Sequence, residues 1–129
     1  MSQQKKVGRS ARLQRSFGYA LTGAGGLMKA QPNLQIHVMV SIIAVALGLW
    51  LRLTNTDLAL IVLCAFWVLA AEGFNTAIEL AIDRFGEERH PLSGASKDMA
   101  AGAVLISSIG AAVVGLLVLG PPLWVRLLG

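Results

Sequence analysis

Cysteine is almost absent from this chain. The single thiol, Cys64, lies inside an apolar run. One cysteine excludes a disulfide within the chain and any metal motif built from cysteines, and its apolar setting reads as a packed side chain, not a nucleophile. Charge is scarce too: 14% of the 129 residues are charged and 55% are hydrophobic. A soluble domain of this length cannot hide so much apolar surface. The implied solvent is a lipid bilayer, and the length allows one domain. Acidic residues are missing from the whole first stretch, Asp57 being the first. A P-loop is missing as well, because Gly23-Ala24-Gly25-Gly26 lacks the GxxxxGK[ST] spacing. The basic N-terminal region is not followed by an uninterrupted apolar segment and a cleavage site, so a cleaved signal peptide is not expected.

Hydrophobic periodicity organises the remainder. Residues 1–8 are polar and expected to fray. Over about 9–29, Leu13, Phe17, Ala20, Leu21, Ala24 and Leu27 recur at helical spacing while Arg15, Gly18, Thr22 and Lys29 point away. The pattern predicts an amphipathic helix lying in the membrane interface, weakened by its glycines and broken before the next element at Pro32. Three spanning helices are predicted at about 34–53, 58–85 and 97–119. The connections are a polar turn at 52–57 and a Gly/Pro-containing loop at 86–96, with Pro121-Pro122 ending the last span. Lys5, Lys6, Arg9, Arg12, Arg15 and Lys29 precede the first span, and Arg84, Arg89 and Lys97 flank the second connection. Only Arg52 and Arg126 fall on the other side. This bias places the N-terminus and the 84–97 segment in the cytoplasm. The basic tail favours anionic lipid over nucleic acid.

The second span carries polar residues where lipid should forbid them. Leu58–Ala71 is fourteen consecutive apolar residues, about 21 Å of helix in a hydrocarbon core about 30 Å thick. Glu72 therefore falls inside the cytoplasmic leaflet, followed by Asn75, Glu79 and Asp83. Steps of three, four and four keep these within roughly an 80° arc. An ionised carboxylate in lipid costs at least about 2.5 kcal/mol. A stripe that only zips helices together accounts for Asn75 but poorly for three stacked acids, which need a cation. A divalent metal with hard oxygen ligands, such as Mg²⁺ shared with nucleotide phosphates, meets that need. Lys97-Asp98 at the start of the third span is suited to polyphosphate and to a base or ribose, or to a plain helix start with an acid in its first turn. His90 is a candidate phosphate donor. Ala103, Ser107, Ala111 and Gly115 form a small-residue seam suited to close helix packing.

Two segments, EGFNTAIELAID at 72–83 and HPLSGASKDMAAGA at 90–103, resemble the prokaryotic diacylglycerol kinase and undecaprenol kinase family. The resemblance in architecture covers about 12–120. It implies an all-α homotrimer of three-span subunits in the inner (cytoplasmic) membrane, each with an N-terminal surface helix. It further implies composite active sites that use ATP with Mg²⁺ to phosphorylate a membrane lipid alcohol. By position, it makes Glu72 the general base, Asn75 an active-site amide and Glu79 a metal ligand. It assigns Arg12, Tyr19, Glu88, Arg89, His90, Lys97 and Asp98 to the nucleotide, with Asp83 and Glu79 alongside. Phosphoryl transfer suits such a set, since it asks mainly for an aligned hydroxyl and neutralised charge.

One departure stands out. The family's motif resembles ERNFxIH, with a second metal-binding glutamate at the end of the surface helix. Here Gln31-Pro32-Asn33-Leu34-Gln35-Ile36-His37 fills that stretch. Gln31 therefore offers a neutral carbonyl in place of a carboxylate. The PNLQIH and KDMAAGAVL stretches lean towards the undecaprenol branch. The rival readings are a catalytically weak, structural or lipid-binding relative, which Gln31 alone supports, and a proton-relay subunit. The latter would want ionisable groups through the full membrane depth.

Overall fold

The computed structural model describes residues 9–84 and 90–129. Four helices follow one another: α1 Arg9–Ala30, α2 Pro32–Trp50, α3 Asn55–Arg84 and α4 Pro91–Leu128. The last three are each long and apolar enough to cross a membrane. The polar segment 1–8, with Glu88 and Arg89, lies outside the described residues.

Local chemistry sets each boundary. Gln31 alone separates α1 from α2, with extended backbone (φ −121°, ψ 104°), as a residue before proline prefers. Pro32 opens α2, where its missing N–H is not needed. The Gln35 side chain donates from Nε2 to the Met28 carbonyl at 3.0 Å, tying α2 back to the end of α1. At the far end of α2 the chain reverses through Arg52 in the left-handed region (φ 56°). Leu53 N donates to Gly48 O and Arg52 N to Leu49 O, both at 3.1 Å. This is a Schellman closure, with an arginine where glycine is usual. Thr54 then caps α3, its hydroxyl accepting from Asp57 N at 3.2 Å and donating to the Asp57 carboxylate at 2.7 Å.

Gly48 is buried at this reversal. A Cβ there would stand 2.9 Å from Leu58 Cδ2 and 3.2 Å from Leu53 Cδ1. Gly48→Val is therefore expected to destabilise the α2–α3 corner by about 1–3 kcal/mol, the usual cost of overpacking. The detergent-solubilised variant should show a lowered thermal transition; an unchanged transition would mean that both leucines move aside freely.

α4 differs most from its predicted range of 97–119. It begins at Pro91 because His90 and Pro91 form a helix start, not loop punctuation: His90 Nδ1 accepts from Leu92 N at 3.2 Å. It also runs through Pro121 and Pro122. Proline's fixed φ is helical. The carbonyls of Leu117 and Val118, four residues back, lose their donors near the helix end, where water or neighbouring groups can serve them. The final turn is held by Arg126, whose guanidinium sits 5.0 Å from the Trp50 ring centroid.

α3 packs most extensively against α4 and next against α2. The buried residues are few: Leu34 and Gly48 on α2, Ala100 on α4, and Ile61, Val68, Glu72 and Thr76 on α3. Spacings of seven, four and four put the α3 set on one inner face. Large apolar side chains such as Phe66, Trp67 and Leu116 point outward, as a lipid solvent or a neighbouring subunit requires.

Candidate active site

The inner face of α3 begins apolar, at Ile61 and Val68, and turns polar without leaving the core. Glu72 and Thr76 are each only 4% exposed. The stripe predicted from spacing is graded along the helix: Glu72 is buried, Asn75 and Glu79 are half-buried, and Asp83 is exposed. Its four members make three contacts.

Glu72 meets α2, with His37 Nε2 3.4 Å from its Oε1. Asn75 turns along its own helix, donating from Nδ2 to Glu79 Oε1 at 3.0 Å. Asp83 meets α4, where Lys97 Nζ donates to its Oδ1. The stripe thus touches both neighbouring helices, and Lys97 and Asp83 join the two sides of the 85–89 connection. Both are substantially exposed, so the pair adds little to stability.

Polar capacity remains unused. Asn75 Oδ1 is buried without a partner, and Asn75 occupies one Glu79 oxygen while leaving the other. Both are hard oxygen donors of the kind a divalent cation takes, and the Asn75 amide presents its nitrogen, not Oδ1, to Glu79. Among the described residues no three His, Cys, Asp or Glu side chains cluster as a ready-made metal cage. Gln31, the residue expected as a second metal ligand, is half-buried ahead of α2, and its side chain makes no capping hydrogen bond.

Glu72 and His37 open into a pocket of about 350 Å³, lined on one side by Asn33 and Ile36 and on the other by Val104 and Ser108 of α4. Ser108 also lines a larger cavity of about 550 Å³ among α2, α3 and α4, with Val40, Ala44, Ile61 and Val68. The Ser108 hydroxyl is buried and unpaired.

The family model for prokaryotic diacylglycerol kinases matches residues 18–119. The chain belongs to the prokaryotic diacylglycerol kinase family. It is 36% identical to a diacylglycerol kinase of Synechocystis over 84% of its own length, although it spans only 62% of that relative. It is 31% identical to the undecaprenol kinase of Bacillus subtilis, over 87% of this chain and 91% of the relative. Identity is also 31% to the diacylglycerol kinase of Escherichia coli, over 79% and 84%.

The remaining sequence-predicted residues spread out. Arg12 and Tyr19 are exposed on α1, and His90 caps α4. With Nδ1 accepting, its Nε2 is left as the donor. Lys97 and Asp98 lie in the second turn of α4. Reasoning from the stripe missed Thr76 and gave His37 no role. A histidine in an otherwise apolar span was the available signal for His37; for Thr76 it was the place directly after Asn75 in the EGFNTAIELAID segment.

Proposed function

We propose that this protein transfers the γ-phosphoryl group of ATP to the hydroxyl of a membrane lipid, diacylglycerol or undecaprenol, at the cytoplasmic face. The observation that carries this reading is Glu72. Its carboxylate is buried within a membrane span, beside a pocket that shares Ser108 with an apolar cavity. A carboxylate kept at that cost has work to do there. The pocket suits a hydroxyl, and the cavity suits a hydrocarbon chain.

In this mechanism Glu72 accepts the proton of the acceptor hydroxyl as its oxygen bonds to the γ-phosphorus and ADP departs. Glu79 and Asn75, with Gln31 as a neutral helper, would hold Mg²⁺, which when bound neutralises charge on the phosphates. Lys97 leaves Asp83 to lie along the polyphosphate, a compact point charge suited to phosphate. Arg12, Tyr19, His90 and Asp98 complete the nucleotide's surroundings, with Glu88 and Arg89 from the connection. α1 lies on the cytoplasmic surface of the inner membrane, where its basic residues meet anionic headgroups. Three subunits assemble so that α1 and the α3 stripe of neighbouring copies share a site; the outward-facing aromatic residues of α3 leave apolar surface for this association.

The two acceptor lipids share the chemistry of a primary alcohol at the interface. The PNLQIH and KDMAAGAVL stretches favour undecaprenol. Purified protein in bilayers, given labelled ATP, Mg²⁺ and each lipid in turn, is expected to label at least one, with undecaprenol preferred. A folded sample that labels no lipid alcohol would favour the reading of a catalytically silent relative, for which the loss of charge at Gln31 is the supporting observation.

A further inference from the structure

Glu72 faces a positional problem. A carboxylate that takes a proton must present one oxygen to the donor, yet its end rotates easily about its last torsion. Among the described residues the one side chain within ion-pair distance of the Glu72 carboxylate is the His37 imidazole, on the neighbouring helix. The contact is specific to one oxygen, Oε1, and involves the outer ring nitrogen, Nε2. At 3.4 Å it is longer than an ordinary hydrogen bond, and the two groups face each other at ion-pair range. Both side chains line the same pocket. The backbone under the imidazole is itself fixed, with Ser41 Oγ donating to the His37 carbonyl at 2.7 Å.

We infer that His37 is the positioning residue of Glu72, donating from Nε2 to Oε1 so that Oε2 faces the acceptor hydroxyl. This rests on the lipid kinase reading and adds a residue to it. During transfer the acceptor O–H bond breaks and its proton goes to Glu72 Oε2. The freed electron pair forms the new bond to the γ-phosphorus. The bond from that phosphorus to the bridging oxygen breaks, and the oxygen leaves with ADP. His37 exchanges no proton in this step. Its contribution is geometric, and a misplacement of about 1 Å can cost on the order of 100-fold in rate. The assignment therefore predicts a loss in kcat without a loss in nucleotide binding.

The test compares His37→Gln, His37→Asn and His37→Leu with the parent protein in bilayers, measuring kcat and KM for MgATP with the best lipid acceptor. A glutamine amide reaches the Nε2 position and donates there; an asparagine amide is one bond short; leucine has no donor. Expected results are kcat within about threefold of the parent for His37→Gln, and about 10–100-fold lower for His37→Asn and His37→Leu, with KM for MgATP unchanged. In a Glu72→Gln background, His37→Leu should cause no further loss, since there is then no base to orient. The Gln–Asn comparison, between two polar side chains, decides the matter even if His37→Leu does not fold. Equal rates for His37→Gln and His37→Asn would overturn the assignment, as would a full additional loss in the Glu72→Gln background. Absence of turnover in the parent protein with every lipid would instead overturn the kinase reading, and this assignment with it.

Discussion

Glu72→Gln is expected to reduce turnover by about 10²–10⁴-fold, the usual contribution of a positioned general base, while the protein still inserts and assembles. The substitution keeps the shape of the side chain and its ability to accept from His37 Nε2. It removes only the charge and the capacity to take a proton. With Glu72 4% exposed in a membrane span, a simple structural role would make the wild-type acid the worse choice, because a neutral amide there avoids a charge penalty of about 2.5–3.5 kcal/mol. Stability of the variant should therefore be equal or higher, while labelled-phosphate transfer to lipid nearly vanishes at saturating MgATP. Near-normal turnover would show that another group accepts the proton. A variant that no longer assembled would make the His37–Glu72 contact a structural clasp between α2 and α3.

The second large effect concerns the metal requirement, and it has two opposite arms. Glu79→Gln removes the only carboxylate in the Asn75–Glu79 pair, and the free Mg²⁺ needed for half-maximal rate is expected to rise at least tenfold. Gln31→Glu restores a charge at the end of α1 and should lower that concentration by about tenfold. Exchanging a neutral ligand for a carboxylate changes a charge-assisted contact by about 1–3 kcal/mol, and tenfold corresponds to about 1.4 kcal/mol. Extended backbone ahead of Pro32 opposes the second arm if it turns residue 31 away from the phosphates. Rate against free Mg²⁺ at fixed MgATP separates the cases. A shift only for Glu79→Gln would leave Gln31 outside the metal site. No shift for either would remove both residues from it.

Much of the fold was legible because lipid imposes a severe rule: spans must be helical, long and apolar. That rule exposes Glu72, Asn75, Glu79 and Asp83 as exceptions, and helical periodicity puts them on one face before any coordinates are considered. Helix ends were less legible. Pro91 and Pro121-Pro122 look alike as breakers, yet Pro91 opens α4 behind the His90 cap, while the other two sit inside it. Proline fixes its own φ and removes one donor; whether the helix continues depends on what else serves the freed carbonyls.

Sequence alone therefore determined the solvent, the number of spans and the identity of the acidic stripe, since each follows from composition and a fixed rise and twist per residue. Pairing was decided only by the tertiary structure. Whether Glu72 meets a base, a cation or lipid depends on how α2 is rotated against α3. Nothing in the sequence says that His37, thirty-five positions earlier, faces it at 3.4 Å. In the same way, Lys97 reaches Asp83 because α4 returns beside α3. Periodicity places a residue on a face of its own helix; packing between helices decides what that face meets.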